Sequence, residues 1–252
     1  MKDSYVYYNR SLLGIIALAL LFASQANGEM IFRSSERGIG GSGSQLGEVL
    51  ETSASLGAYT DDILSSTYVR DDNNSIVGSV SLSSSQTSTV TSNQIRGLGR
   101  GSGFGSGPGD GFGNSFITTE FTIEEANRFT LSGQLRLAPH GGTAGLNGSL
   151  AYVRLTGPDG VVLEVTMDED NPPDTLGIVD FSGSDQLSGV FPAGDYTLEA
   201  SSEGHGSDGL SRCADFDFTL TSLEVAAVPE PAAFGMMLFA GLACMRMRRR
   251  RR

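Results

Sequence analysis

Side chains that could act as nucleophiles or general bases are few and scattered in this sequence. His140 lies in a Pro-His-Gly-Gly segment and His205 in a Gly-His-Gly segment, and both contexts are typical of loops. Cys213 is the one cysteine before residue 228, and no motif pairs it with a histidine. Zinc would need several nitrogen or sulfur ligands at close spacing, which the sequence does not offer. We therefore predict that the protein is not an enzyme.

Carboxylate oxygens are concentrated in residues 168–174, Asp-Glu-Asp-Asn-Pro-Pro-Asp, between two predicted strands. Ca²⁺ takes about six to eight oxygen ligands, so Asp168, Asp170 and Asp174 are candidate ligands. The segment lacks the glycine and the distal glutamate of an EF-hand loop. A solvated acidic turn is the alternative, and nothing fixes a glycosidase cleft around the paired carboxylates. No cofactor other than this candidate calcium ion is expected.

A sugar-binding surface would be expected to display aromatic rings on which the sugar can stack. The sequence contains no tryptophan, and the remaining candidates are Tyr59, Tyr68, Phe104, Phe112 and Tyr152. Most of these rings are expected to pack inward. Carbohydrate binding is therefore an alternative function here and not the leading one.

Alternating apolar residues predict that most of the chain forms β-strands. Phe129, Leu131, Leu135 and Leu137 alternate with polar residues, which is the period of a half-buried strand. The segments 116–123, 151–155, 161–165 and 216–220 show similar alternation, and residues 157–160, Gly-Pro-Asp-Gly, predict a tight turn. Several strands separated by Gly and Pro favour a mostly β fold, an antiparallel, jelly-roll-like sandwich of two sheets over residues 115–227.

The residues before position 115 are expected to be less regular. Residues 27–47 are rich in Gly, Ser and Glu and predict a flexible lead-in, and residues 48–96 predict short Ser/Thr-rich strands. Within them Thr87, Thr89 and Thr91 would share one strand face, as in the threonine ladders of ice-binding proteins, although threonine also simply favours strands. Glycine occupies every odd position from 97 to 113, so residues 97–114 predict a flexible linker. The alternative is an extended strand whose glycines allow another sheet to approach closely.

The charge of the chain excludes one class of partner. Residues 27–227 carry nine basic and 27 acidic side chains, a formal charge of −18. Such a segment should repel nucleic acid, so no nucleic-acid partner is expected. A solubilising acidic surface is the simplest interpretation of this charge.

The first 26 residues have the features of a secretory signal peptide. Lys2 and Arg10 precede the apolar core Leu12–Phe22, and Ser24-Gln25-Ala26 supplies small residues for cleavage. A retained membrane helix is the alternative, but the apolar core is short for one. No cysteine follows the core, which argues against a lipoprotein.

The last 25 residues, 228–252, combine three features in order. Val228, Pro229, Glu230 and Pro231 end any preceding strand. The uncharged run 232–245 follows as a predicted short membrane helix, with Phe234, Leu238 and Leu242 among its apolar residues. A basic cluster closes the chain and should remain cytoplasmic: Arg246, Arg248, Arg249, Arg250, Arg251 and Arg252. An ordinary single-pass anchor is one alternative, and the acidic remainder of the chain argues against an arginine tail for nucleic acid.

This C-terminal segment resembles the PEP-CTERM sorting signal of bacterial envelope proteins, also known as the ice-binding protein C-terminal domain. The resemblance implies recognition by an exosortase, a membrane enzyme that cuts near the Pro-Glu-Pro sequence and releases or transfers the exported product. The precursor would be held transiently in the inner membrane, and the product would reach the cell surface or the extracellular space.

These features together predict a non-enzymatic structural or adhesive component of the cell envelope or extracellular matrix. A carbohydrate-binding module for extracellular polysaccharide is the first alternative. A calcium-stabilised or ice-binding surface module is the second.

Overall fold

The computed structural model of the chain describes residues 29–140, 148–168, 177–183 and 186–223. These residues form thirteen strands: β1 (Met30–Gly43), β2 (Gly47–Ser53), β3 (Gly57–Arg70), β4 (Ile76–Thr91), β5 (Gln94–Ser106), β6 (Gly111–Ile123), β7 (Asn127–His140), β8 (Leu150–Gly157), β9 (Gly160–Met167), β10 (Ile178–Asp180), β11 (Leu187–Phe191), β12 (Gly194–Gly206) and β13 (Leu210–Leu223). In this part of the chain no helix is long and apolar enough to cross a membrane. The predicted signal peptide and the predicted sorting tail both lie outside it.

The strands form two antiparallel sheets that pack as a sandwich. The six-stranded sheet has the order β2-β1-β6-β12-β8-β9. The seven-stranded sheet has the order β10-β7-β13-β5-β4-β3, and β11 pairs with β7 beside β10. The predicted mostly β fold with two antiparallel sheets is therefore confirmed.

Alternation of apolar and polar residues fills the space between the sheets with rings and branched chains. Phe121, Phe129 and Phe216 are fully buried in one apolar cluster. The ring of Phe121 stacks on that of Tyr196 with a centroid distance of 5.5 Å, and offset stacking adds to the free energy gained by burial. The predicted inward faces of β6, β7, β8 and β13 are buried in this way.

The glycine run forms two strands where the sheets approach most closely. Residues 97–105 lie in β5 of the seven-stranded sheet and residues 111–113 in β6 of the six-stranded sheet. The predicted linker over 97–114 is therefore wrong, and the close-approach alternative describes what is found. A Cβ atom at Gly103 would overlap the carbonyl oxygen of Gly111, and one at Gly101 would overlap that of Gly113. Sheets usually pack about 10 Å apart because side chains separate them, whereas here backbone packs directly on backbone.

On β5, β6 and β12 the inward side chains become larger with distance from this contact. On β12 they pass from Gly206 and Gly204 through Ser202 and Ala200 to Leu198 and Tyr196. Register places Gly206 beside Gly111 and Tyr196 beside Phe121. The sandwich therefore tapers from a thick end, which we call the aromatic pole, to a thin end, which we call the glycine pole.

The N-terminal part of the chain is fully integrated in the sandwich. β1 lies inside the six-stranded sheet between β2 and β6, so the flexible lead-in predicted for residues 27–47 is wrong. β3 and β4 are 14 and 16 residues long, longer than the short strands predicted over residues 48–96. The sandwich therefore begins at β1, and its predicted start at residue 115 is wrong.

Arg37 of β1 points into the sandwich and is fully buried. Its Nη1 donates to the carbonyl oxygen of Gly57 at 2.9 Å and to Ser88 Oγ at 3.3 Å, and its Nη2 donates to the carbonyl oxygen of Ser55. Its guanidinium carbon lies 5.3 Å from the centroid of the Tyr59 ring. Backbone dipoles and a ring face thus solvate this charge in place of a carboxylate, and burial lowers the pKa of Arg37.

The start of the first strand and the end of the last strand both lie at one hairpin turn at the aromatic pole. The backbone N–H of Met30, at the start of β1, donates to the carbonyl oxygen of Ser92 at 2.8 Å. The N–H of Ser222, near the end of β13, donates to that of Asn93 at 2.9 Å. Ser92 and Asn93 connect β4 to β5.

Candidate functional site

A polar groove lies on the outer face of the seven-stranded sheet, across β4, β5, β13 and β7. Its volume is about 280 Å³. Strand register places Arg100 opposite Asp215, and Asp215 opposite Arg136. The groove is lined by Ser85, Gln86, Thr87, Leu98, Gly99, Arg100, Gln134, Arg136, Asp215, Phe216 and Asp217.

Strand alternation explains why most of these side chains share the outer face, whereas Gln86, Gly99 and Phe216 hold inward positions of the same strands. Phe216 and Phe218 of β13 point into the core, so Asp215 and Asp217 point outward. On β5 the inward positions are glycines, so Leu98 and Arg100 take the outer face. The residues that pack the sandwich thereby also position the groove.

A partly desolvated carboxylate lies at the centre of the groove. Burial raises the pKa of Asp215, and the guanidinium groups of Arg100 and Arg136 oppose this rise. Arg100 Nε lies 3.5 Å from Asp215 Oδ1, which is an ion pair with poor hydrogen-bond geometry. Within the described chain Asp215 Oδ1 is buried and accepts no hydrogen bond. A ligand hydroxyl or a water molecule is the kind of donor that this oxygen lacks.

Cys213 lies on the same face, one position along β13 from the groove. It is buried, and its Sγ donates to the carbonyl oxygen of Ala138 at 3.5 Å. Burial, with a smaller contribution from the Asp215 charge, raises the pKa of Cys213, which disfavours the reactive thiolate. Cys213 is therefore a buried, inert thiol that does not line the groove.

The structure does not bring Cys213 together with His205. His205 lies on the outer face of β12 in the other sheet. His140 is the last residue of β7, paired with Ser211 of β13. Both histidines are therefore strand residues, and their predicted loop positions are wrong.

The aromatic candidates mostly lie on outer faces, which overturns the expectation that most pack inward. Phe104, Phe112 and Tyr152 occupy the outward positions of β5, β6 and β8. Tyr68 is 60% exposed on β3, and Tyr59 alone among the five points inward, toward Arg37. Thr87, Thr89 and Thr91 share the outer face of β4 as predicted, and Thr87 lines the groove.

Other predicted sites lie largely outside the described residues. Asp168 follows β9 and is described, whereas Asp170 and Asp174 are not, so calcium binding there stays a prediction. In the part of the chain that the structure covers, no three His, Cys, Asp or Glu side chains are grouped to hold a metal ion. The sorting motif, membrane helix and arginine cluster of residues 228–252 also lie beyond it.

The groove residues Arg100, Arg136, Asp215 and Asp217 were not predicted from the sequence. The signal that could have identified them is the set of polar residues that alternate with apolar residues in β7 and β13. This pattern identifies outward positions, but it does not show which strands are neighbours. Arg100 lies beside Asp215 because of the register between β5 and β13.

No family model matches the chain, and no curated protein does. Among solved structures the chain is similar to that of TmCBM61 in complex with β-1,4-galactotriose, with 9% sequence identity and a TM-score of 0.21. That match covers 64% of this chain and 88% of the other.

Proposed function

We propose that this chain is an exported, non-enzymatic adhesive β-sandwich that holds extracellular polysaccharide in the groove of its seven-stranded sheet. The observation that supports this most directly is the carboxylate of Asp215, whose Oδ1 forms an ion pair with Arg100 Nε at 3.5 Å but accepts no hydrogen bond from the described residues. A buried acceptor without a hydrogen bond costs about 1–3 kcal/mol, and the Arg100 charge offsets part of this cost. A ligand rich in hydroxyl groups would remove that cost.

The remaining lining residues suit the same ligand chemistry. Carboxylates accept hydrogen bonds from sugar hydroxyls, while the guanidinium of Arg136 and the amide of Gln134 donate to them. Leu98 is 47% exposed and offers an apolar surface to the C–H face of a sugar ring. The groove alternates positive and negative side chains along one row, Arg100, Asp215 and Arg136, so a neutral polysaccharide fits better than a strongly charged one.

Export from the cell is the second part of the proposal, and it is inferred from residues 1–26 and 228–252. Residues 1–26 would direct export, and residues 228–252 would hold the precursor in the inner membrane until an exosortase processes it. The mature protein would then act at the cell surface or in the extracellular matrix.

A glycan-binding experiment with the full-length chain tests the groove. Wild type, Asp215→Asn and Arg136→Ala proteins are titrated with soluble neutral polysaccharides and compared on a glycan array. Each groove variant is expected to lose affinity about five- to tenfold, because each leaves a polar partner unpaired. Arg128→Ala is the matched control, since Arg128 has the same charge, strand and face as Arg136 but lies outside the groove.

Two outcomes would reject the groove as the contact surface. One is an array without signal for the wild-type protein. The other is an equal loss of affinity in Arg128→Ala and Arg136→Ala.

A further inference from the structure

The outer face of the six-stranded sheet carries a separate arrangement of rings and carboxylates. One row across the sheet pairs Gly38 of β1 with Phe116 of β6, Phe116 with Ser201 of β12, and Ser201 with Tyr152 of β8. Along β12, Glu199 and Glu203 lie two positions before and after Ser201 on the same face. At about 3.4 Å per residue each carboxylate-bearing position is about 7 Å from Ser201. We call these residues the Ser201 site.

Ser201 itself is a buried polar residue without a partner. It is 5% exposed, although it occupies an outward position of β12. Its hydroxyl makes no hydrogen bond to any other described residue, unlike the neighbouring strand serines Ser35 and Ser84. Its Oγ is not one of the fully buried polar atoms that lack a hydrogen bond, so solvent reaches this hydroxyl and a ligand hydroxyl can take the place of that solvent.

The two carboxylates give the Ser201 site a negative charge. Burial raises the pKa of Tyr152, and the charges of Glu199 and Glu203 raise it further, so both carboxylates act on the tyrosine hydroxyl. Burial also raises the pKa of Glu203, and among the described residues Glu203 forms no ion pair. The nearby cation is Arg154, which lies opposite Glu199 and pairs with Glu164 at 3.6 Å.

The ring of Phe116 lies over Gly38 and extends the site sideways. A Cβ atom on Gly38 would come within 2.8 Å of Phe116 Cε1 and Cζ, so the ring covers the bare glycine backbone. Gly40 is covered in the same way by the side-chain oxygen of Asn114. An aromatic ring beside an amide is a platform on which a pyranose ring can stack and form hydrogen bonds.

We propose that the Ser201 site binds a glycan containing free amino sugars, with one protonated amine paired with Glu203 and a second one paired with Glu199. The ammonium groups would lie near the Tyr152 ring, where a cation–π interaction adds to ion pairing. The Ser201 hydroxyl would hydrogen-bond the ligand, and the sugar ring would stack on Phe116. The formal charge of −18 over residues 27–227 favours a cationic ligand over an anionic one. This site lies on the sheet opposite the polysaccharide groove and does not depend on it.

Calorimetric titration of the full-length chain at pH 6 tests the proposal with two probes. The glucosamine trisaccharide carries protonated amines, and the fully N-acetylated trisaccharide is its neutral counterpart. The glucosamine trisaccharide is expected to bind at least tenfold more tightly than the acetylated one. Glu203→Gln is expected to weaken its binding about tenfold and Phe116→Ala about fivefold.

Three controls isolate the contribution of the Ser201 site to binding. Glu48→Gln removes a carboxylate from β2 of the same sheet, three strands from β12, and should leave the affinity unchanged. Asp215→Asn, in the groove of the other sheet, should also leave it unchanged, so the two sites can fail independently. Thermal melting of each variant shows whether the fold is retained.

Equal affinity for the two trisaccharides would overturn the proposal, because the amine would then contribute nothing. Unchanged affinity in a folded Glu203→Gln protein would overturn it as well. Tighter binding of trilysine than of the glucosamine trisaccharide would assign the surface to a basic peptide instead of a glycan.

Discussion

Arg37 carries a full charge into the sandwich, and no carboxylate of the described residues forms an ion pair with it. Its hydrogen bonds run from β1 in the six-stranded sheet to Ser55 and Gly57 at the start of β3 and to Ser88 of β4 in the other sheet. One side chain therefore connects the two sheets, whose interior also contains the buried polar side chains of Gln86 and Ser115. A buried charge of this kind stabilises the fold only while its partners remain.

Arg37→Ala is expected to lower the free energy of unfolding by about 2–5 kcal/mol, because it opens a cavity and removes the hydrogen bonds to Ser55, Gly57 and Ser88. Arg37→Met should cost less, since it refills part of the volume. Urea denaturation measures both. The control is Arg33→Ala on the same strand: Arg33 pairs with Asp195 at 2.8 Å but is 55% exposed, and its loss should cost less than about 1 kcal/mol. Equal losses in Arg33→Ala and Arg37→Ala would contradict the bridging role.

Glu203 predicts a pH-dependent stability with a defined sign. Burial raises its pKa, so the folded protein binds this proton more tightly than the unfolded chain does. The contribution of Glu203 is therefore fully present below its ordinary pKa and is lost as the pH rises through the raised pKa. Glu203→Gln should raise the melting temperature by about 1–2 °C at pH 7, a small gain because water screens a half-exposed carboxylate. Near pH 3 the two proteins should melt together.

The control for this measurement is Glu164→Gln, whose side chain is 49% exposed and which should show no gain at pH 7. A Glu203→Gln protein that melts lower than wild type at pH 7 would show that the carboxylate is stabilising in its ionised form.

At the scale of the strand, the glycines of β5 allow the two sheets to pack closely. Every inward position from Gly97 to Gly105 lacks a side chain, so the carbonyl oxygens of β6 and β12 can contact β5 directly. Dispersion contacts between backbones replace the usual layer of side chains at the glycine pole. Packing against β6 and β12 stabilises β5 as a strand, although glycine by itself disfavours strand structure.

Gly103→Ala is expected to destabilise the fold by about 2–3 kcal/mol, because its methyl group would overlap the carbonyl oxygen of Gly111. Gly189→Ala on β11 is the matched control. A Cβ atom there would meet no atom within 4 Å, and the change should stay within about 0.5 kcal/mol. Thermal melts of both variants test this, and a well-tolerated Gly103→Ala would show that the sheets can separate at the glycine pole.

Strands whose inward residues are apolar could be predicted from the sequence. β7 is an example, since Phe129, Leu131 and Leu135 alternate with polar residues and are all buried. β1 was not predicted as a strand and β5 was predicted only as an alternative, because most of their inward positions hold Ser, Arg or Gly and show no apolar alternation. Hydrophobic periodicity does not detect a strand that is buried by backbone contact.

The candidate sites could not be predicted from the sequence, because hydrophobic periodicity does not show which strands pair with one another. Asp215 and Tyr152 could be assigned to outward positions, but their neighbours come from distant parts of the chain. The groove needs the pairing of β5 with β13, and the Ser201 site needs the pairing of β12 with both β6 and β8. Register between strands is set by the whole sandwich and not by any one segment.

At the scale of the whole molecule, the export proposal predicts two processed ends. Mass spectrometry of protein recovered from outside the cell should show loss of residues 1–26 and of the C-terminal arginines. A Pro229→Ala/Pro231→Ala double variant is expected to remain in the membrane fraction with Arg252 intact, because the proposed exosortase site is changed.

The control for processing is Pro158→Ala, which changes a proline in the β8–β9 turn and should be processed normally. Secreted wild-type protein that still carries Arg252 would reject the proposed processing.

The shared location of Met30 and Ser222 at the β4–β5 turn has a consequence for the connectivity of the fold. Chains whose ends lie close together usually tolerate circular permutation. A short peptide could join the start of β1 to the end of β13, and new ends could be opened at an exposed hairpin such as residues 71–75 between β3 and β4. Both proposed binding surfaces, on the two outer faces, would then be kept while the chain ends moved to another part of the sandwich.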